Sequence, residues 1–376
     1  MQGFDTLAVH GPGETYEGAV SFPIFQTSTY EWGAESRYSY SRCSYPTRGV
    51  LEETIALMEE GTDGFAFSSG LAAINAVFSL LEAGNRVLVS DDLYGGTYRL
   101  IEEVFSGFGI SFSFVNTADL TEVEAAMTNR TKLLFVETPT NPMMKVAAIE
   151  PLAALAHENG CLLAVDNTFL TPFFQRPLSL GADIVIHSAT KFLSGHHDTI
   201  SGLVVVKDAA LAERLSLLSR TLGGVLSPFD SWLTLRGIQT LPLRMRRHQE
   251  NAFAAASFLK EHPDVAHVNF PGLPEHPQYE TMKKQATGFG GVLSFTLKEG
   301  VRVERVLRGG NLIRFAESLG GTTSLITYPL TQTHASIPEK LRERIGITPY
   351  LLRLSVGLED SKDILADLAM MLEQGK

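Results

Sequence analysis

The stretch Gly181-Ala182-Asp183-Ile184-Val185-Ile186-His187-Ser188-Ala189-Thr190-Lys191-Phe192 decides how this chain folds. Its apolar run is too short for a lone helix and rich in β-branched residues, which predicts a buried strand. The strand opens into a polar cluster of His187, Ser188 and Thr190 and delivers Lys191 at its mouth. A lysine there gives up hydration, which lowers its pKa and suits its amine to condensing with an aldehyde. Taken alone, such a position more often holds a lysine that snorkels its ammonium to water. Partners elsewhere must decide.

Outward from this strand the same unit recurs. Gly64 to Phe67 reads as a short buried strand, followed by the turn Ser68-Ser69-Gly70-Leu71 and an apolar helix. Free N–H groups at that helix start can bind phosphate, although an ordinary Ser-capped helix accounts for the turn as well. Arg86 to Ser90 is a strand running into Asp92-Leu93-Tyr94-Gly95-Gly96-Thr97, and Thr131 to Glu137 runs into Thr138-Pro139-Thr140-Asn141-Pro142, where two prolines fix a loop. A helix from about 150 to 159 stops at Gly160, and the strand Cys161 to Val165 leads to Asp166-Asn167-Thr168. Strands alternating with helices predict an α/β fold, a mostly parallel sheet with helices on both faces, with ligands at the strands' carboxyl ends.

The flanks read differently. Residues 1–48 show no sustained period and form an expected N-terminal arm, either a surface loop or a segment reaching into a site. A helix is expected from Leu51 to Glu60 with Gly61 as its C-cap, inside a large domain of residues 49–240. A long helix from Pro228 to about Leu259, kinked at Pro242, leads into a smaller α+β domain of residues 241–376 carrying Gly291–Leu297, Gly320–Ser324 and Leu351–Gly357.

Net charge is −11 over 376 residues without a basic stripe, which argues against nucleic acid and anionic membrane as partners. Two cysteines give no disulfide framework, no apolar run is long enough for a membrane span, and no basic-then-apolar leader opens the chain; the cytoplasm is the expected compartment. No metal site is expected: His196-His197-Asp198 are adjacent residues that do not aim at one ion, and HExxH is absent. A dinucleotide-binding GxGxxG and a GxSxG nucleophile elbow are both missing.

A Schiff-base lysine (Lys191), a strand-end carboxylate (Asp166) and a helix-start cradle are the parts that pyridoxal 5'-phosphate (PLP) requires. Asp166 would pair with the ring nitrogen and Tyr94 would stack on the ring. Ser69, Gly70 and Leu71 would hold the phosphate, joined by Ser188, Thr190 and Arg42.

These residues, with Tyr40-Ser41-Arg42, Pro46-Thr47-Arg48, Phe67 to Ala73, Asp92 to Thr97, Glu137 to Pro142, Val165 to Thr168, His187 to Lys191 and Arg353 to Gly357, make the chain similar over nearly its whole length to the Cys/Met-metabolism branch of the fold-type I PLP enzymes. The resemblance implies that Lys191 bonds the cofactor and moves protons, that Asp166 and Thr168 lie at the ring, and that Tyr94 stacks and assists proton transfer. It also implies a substrate site of Arg353, which grips the carboxylate bidentately, with Asn141, Ser324 and Tyr40. Tyr40 and Arg42 would reach the phosphate of an adjacent subunit, implying a homodimer with shared sites, usually a homotetramer. The sequence departs from the family at Cys43-Ser44-Tyr45 and at Thr323, both expected near the substrate entrance. Within the branch, Gly160 to Leu163, Thr168 to Pro172, Lys191 to His196 and Thr333 to Pro338 most resemble bacterial lyases that split cystathionine by β-elimination. Ser227 to Trp232 and Leu243 to Gln249 resemble the γ-synthases nearly as much, and the γ-lyases stay open as a further alternative.

Overall fold

The computed structural model describes residues 3–13, 15–33 and 37–376; Met1, Gln2, Glu14 and residues 34–36, all within the expected arm, lie outside the described residues. Seven strands, β1 (Asp63–Phe67), β2 (Arg86–Ser90), β3 (Ser111–Val115), β4 (Thr131–Glu137), β5 (Leu162–Asp166), β6 (Ile184–His187) and β7 (Gly202–Val206), form one sheet in the order β1-β7-β6-β5-β4-β2-β3. β7 alone runs against the other six strands. The α/β expectation holds, and the near-continuous apolar runs of β4, β6 and β7 are what a sheet covered on both faces requires.

Register decides which residues meet. Glu137 of β4 lies opposite Asp166 of β5, and Asp166 opposite Ile186 of β6, so three carboxyl ends are level and the loops after them converge. The helix Gly70–Phe78 presses its apolar face onto the sheet, where Phe78 packs edge-on against Phe105, Phe112 and Phe135 with centroids 5.4 Å apart.

A second sheet, β8 (Val265–Asn269), β9 (Val292–Leu297), β10 (Arg314–Phe315), β11 (Leu325–Thr327) and β12 (Leu351–Ser355), has the order β10-β11-β12-β9-β8 and is antiparallel except at β10-β11. The helices Leu241–Glu261 and Ser361–Gln374 contribute to its core with Ala252, Ala255, Leu259, Leu368 and Met371, around Phe295, Leu352 and Leu354. Burying a side chain of the last kind stabilises by about 1.5–3 kcal/mol.

Several expected boundaries shift. The arm contains a helix, Phe4–His10, tied down by an Asp5–Arg246 ion pair of 2.7 Å. The next helix begins at Pro46, since proline at the first turn lacks only an N–H that had no partner there. It ends at Met58, and Glu60 rather than Gly61 takes the left-handed backbone. Gly61 is small for a different reason: a Cβ would lie 2.4 Å from Val205 Cγ1, so glycine lets the chain enter the sheet. The single kinked helix over 228–259 is two helices, Pro228–Ile238 and Leu241–Glu261, because Pro242 sits in the first turn of the second. No helix among the described residues is long and apolar enough to cross a membrane.

Candidate active site

Strand ends of both sheets and the start of the helix Gly70–Phe78 line one cavity of about 290 Å³. It gathers Ser69, Gly70, Leu71, Tyr94, Asn141, Asp166, Thr168, Ser188, Thr190, Lys191 and Arg353, residues spread over nearly 300 positions of sequence. Tyr40, Arg42 and Ser324 are not among its lining residues.

Lys191 leaves β6 on a tight turn whose carbonyls are capped by a buried arginine: Arg244 donates to the carbonyls of Phe192 at 2.6 Å and Leu193 at 3.2 Å. Burial, and secondarily the charge of Arg353, push the Lys191 amine down to about 8, with Glu317 opposing. Its Nζ donates to Ser318 Oγ at 3.0 Å. That serine has φ of 96° and uses its carbonyl to accept from Arg353, so it links amine and guanidinium. Holding a non-glycine residue there costs of order 1–3 kcal/mol, as strain at functional sites does.

Asp166 accepts from the Thr168 amide at 3.0 Å and hydroxyl at 2.5 Å, and Thr168 Oγ1 in turn accepts from the Ser188 amide at 2.8 Å. Burial raises the Asp166 pKa while the two Thr168 bonds oppose it. Burial, and then the neighbouring Asp166, raise Glu137 well above the usual carboxylate range. Glu137 is the more completely buried of the two, and Asp166 accepts a hydroxyl bond as well as an amide one, so the anion of this pair belongs on Asp166.

Arg353 on β12 is buried to 1% exposure and donates through Nη1 to Asn141 Oδ1 at 2.9 Å and through Nη2 to the Ser318 carbonyl at 2.8 Å and Thr327 Oγ1 at 2.9 Å. Its Nε–H is buried with no partner among the described residues. His334 ties the loops together by bonding the carbonyls of Leu93 at 3.2 Å and Asn141 at 2.9 Å; burial pushes its pKa down to about 4, so it acts neutral. Tyr94 remains 39% exposed over the cavity. Gly96 leaves room for that ring, since a Cβ would fall 2.3 Å from Tyr94 Cε1.

A family model described as "Cys/Met metabolism PLP-dependent enzyme" matches residues 5–373. The chain belongs to the Cys/Met metabolism PLP-dependent enzymes. It is 47% identical over 379 residues to a cystathionine beta-lyase of Lactococcus lactis subsp. cremoris, covering 100% of both chains. It is 48% identical over 370 residues to a cystathionine gamma-synthase of Haemophilus influenzae, covering 97% of this chain and 96% of the other. A crystal structure of cystathionine gamma-lyase from Lactobacillus plantarum complexed with L-serine superposes with a TM-score of 0.98 at 44% identity, covering 100% of this chain and 99% of that one.

The residues of this PLP-family member fit its cofactor. Ser69 caps the helix by accepting from the Ala72 amide at 3.0 Å, which leaves its O–H free to donate, and the first-turn amides of Gly70 and Leu71 have no intrahelical partner. Gly70 must be glycine, as a Cβ would lie 2.8 Å from Ser188 Cβ. A carboxylate (Asp166), an amine (Lys191) and a helix start with unpaired amides thus share one cavity.

Some expected contacts lie elsewhere. The Thr190 hydroxyl lines the cavity but donates to the Ser201 carbonyl at 3.1 Å, so its proton is already committed. Ser324 Oγ donates to Glu359 Oε2 at 2.9 Å and accepts from the Gly357 amide at 2.8 Å, holding a turn beside Thr323. Tyr45, expected at the entrance, is 1% exposed and donates to the Leu226 carbonyl at 2.6 Å in the core. Tyr40 and Arg42 stand on the surface, Arg42 donating to the Arg220 carbonyl at 2.5 Å. Ser318, Glu317 and Glu137 also line the cavity; Glu137 ends a strand and opens the Glu137 to Pro142 motif but had no expected role, and nothing in local spacing marks the other two.

Proposed function

We propose that this protein is a carbon–sulfur lyase that cleaves L-cystathionine by β-elimination, with water, to homocysteine, pyruvate and ammonia. The observation that carries the proposal is that a desolvated amine (Lys191), a buried guanidinium (Arg353) and a carboxylate (Glu317) line one cavity. Cystathionine carries an amino acid head at each end: Arg353 and Asn141 suit the carboxylate of the reacting head, and Glu317 suits the distal ammonium.

PLP, when bound, supplies a conjugated electron sink for the bonding pair left at the substrate's Cα. The chain's own residues do the rest. Lys191 Nζ, steered by Ser318, removes the Cα proton and is the group positioned to return one. Asp166 keeps its negative charge against the ring nitrogen, helped by Thr168. Ser69, Gly70, Leu71 and Ser188 hold the phosphate, and Tyr94 covers the site from water.

Among the described residues of one chain, the cavity's basic side chains are Lys191 and Arg353, and the helix start offers only amides and hydroxyls. We assign the basic side chain of the phosphate cradle to Arg42, with Tyr40, from a second copy, which makes the functional unit a homodimer with shared sites and the complete assembly a homotetramer. The same proposal divides the chain into an arm (1–48), a cofactor domain (49–240) and a C-terminal domain (241–376) and puts the enzyme in the cytoplasm.

Relatives named for γ-chemistry favour one second reading, γ-elimination, with water, to cysteine, 2-oxobutyrate and ammonia, which needs a further proton removal at Cβ. Incubating the holoenzyme with L-cystathionine and identifying the keto acid and thiol decides between them. Pyruvate with homocysteine supports the β-lyase; 2-oxobutyrate with cysteine replaces it with the γ-lyase; turnover only with an activated homoserine ester and cysteine replaces it with a synthase.

A further inference from the structure

We propose that Glu137 is a positioning residue of this site: its buried carboxyl holds the Tyr94 loop against the strand ends as a neutral acid, leaving the negative charge to Asp166. The proposal rests on the assignment of Tyr94 and Asp166 as cofactor contacts. Glu137 ends β4 in register with Asp166, is 6% exposed, and lines the cavity. Its Oε2 accepts the Tyr94 amide at 3.0 Å, at the N-cap of the helix Gly95–Arg99, and its own amide donates to Ser90 Oγ at 3.2 Å. The Asn141 amide also bears on the same carboxyl. One side chain therefore stands between the two loops that carry Tyr94 and Asn141.

The charge state follows from the surroundings. The charged and titratable groups facing Glu137 are Asp166 from β5, Asp92 from the loop after β2, and Arg353 and Tyr94 across the cavity. Among the described residues neither Glu137 nor Asp166 makes an ion pair. Two neighbouring buried carboxyls without a bonded cation do not both ionise. Both carboxyls accept two bonds, but Glu137 is the more deeply buried and accepts from amides alone, whereas Asp166 keeps some solvent exposure and accepts the Thr168 hydroxyl as well as its amide, so the proton goes to Glu137. As an acid, Glu137 still offers its carbonyl oxygen to the Tyr94 amide.

Glutamine is the neutral isostere of that acid, whereas aspartate keeps the carboxyl but withdraws it by one methylene from the amide. The test compares wild type, Glu137→Gln and Glu137→Asp, each stripped of cofactor and reconstituted with PLP, by cofactor dissociation constant, melting temperature and kcat/KM on cystathionine. We expect Glu137→Gln to bind PLP within threefold of wild type and Glu137→Asp to bind at least tenfold more weakly. The reverse order, or a Glu137→Gln protein weakened tenfold or more, overturns the neutral clamp; two variants both within threefold overturn any positioning role. Glu137→Gln alone decides the matter should Glu137→Asp not fold. A wild-type protein that takes up no PLP would overturn the cofactor assignments instead and is read separately.

Discussion

Replacing Arg353 by lysine keeps the positive charge and removes the planar fork. Three of the guanidinium's five donors serve Asn141 Oδ1, the Ser318 carbonyl and Thr327 Oγ1, which leaves two, including the buried Nε–H, for a substrate carboxylate. A lysine ammonium has three donors in all and cannot satisfy those acceptors and a carboxylate together. Losing one charge-assisted bond costs about 1.5–3 kcal/mol, so kcat/KM should fall by about 10- to 150-fold. Most of the loss should appear in KM, because the carboxylate is held alike before and during the reaction. Buried acceptors left unpaired cost about 1–3 kcal/mol more in stability, visible as a lower melting temperature. Steady-state kinetics of the purified holoenzyme on L-cystathionine, with cofactor content measured by absorbance, provide the assay. A kcat/KM within threefold of wild type, or a loss confined to kcat with KM unchanged, would refute the carboxylate-gripping role.

Lys191→Met should abolish turnover and the visible absorbance of bound PLP, while raising the melting temperature of the cofactor-free protein at pH 7 by about 1–3 °C. The sign follows from an amine depressed from 10.5 to about 8: the buried ammonium weakens the fold most below pH 8, and the penalty fades as pH rises toward 10.5. The gain in melting temperature should accordingly shrink at pH 10, and a gain that grows with pH would contradict the desolvation account. Gly70→Ala would press a methyl to 2.8 Å from Ser188 Cβ, so PLP affinity, measured by reconstitution, should weaken at least tenfold; an unchanged dissociation constant would remove that turn from the phosphate cradle.

By itself the sequence determined the alternation of strands and helices, the parallel sheet and the strand-end positions of Lys191, Asp166 and Asn141, because period and turn chemistry are local properties. Proline at 242 was visible too, yet whether it kinks a helix or opens a new one depends on packing, and here it opens one. Gly61 looked like a cap and is instead a gap left for Val205, a contact 144 residues away in sequence. The Thr190 hydroxyl is spent on Ser201, Ser324 on Glu359 and Tyr45 on Leu226, and such competition between partners cannot be read from spacing. Only the tertiary structure could make Ser318 a link between Lys191 and Arg353, and only register could set Glu137 beside Asp166. The physical reason is common to all of these. A residue type fixes what bonds a side chain can make, whereas the fold fixes which partner is within 3 Å of it and how much water is left to compete.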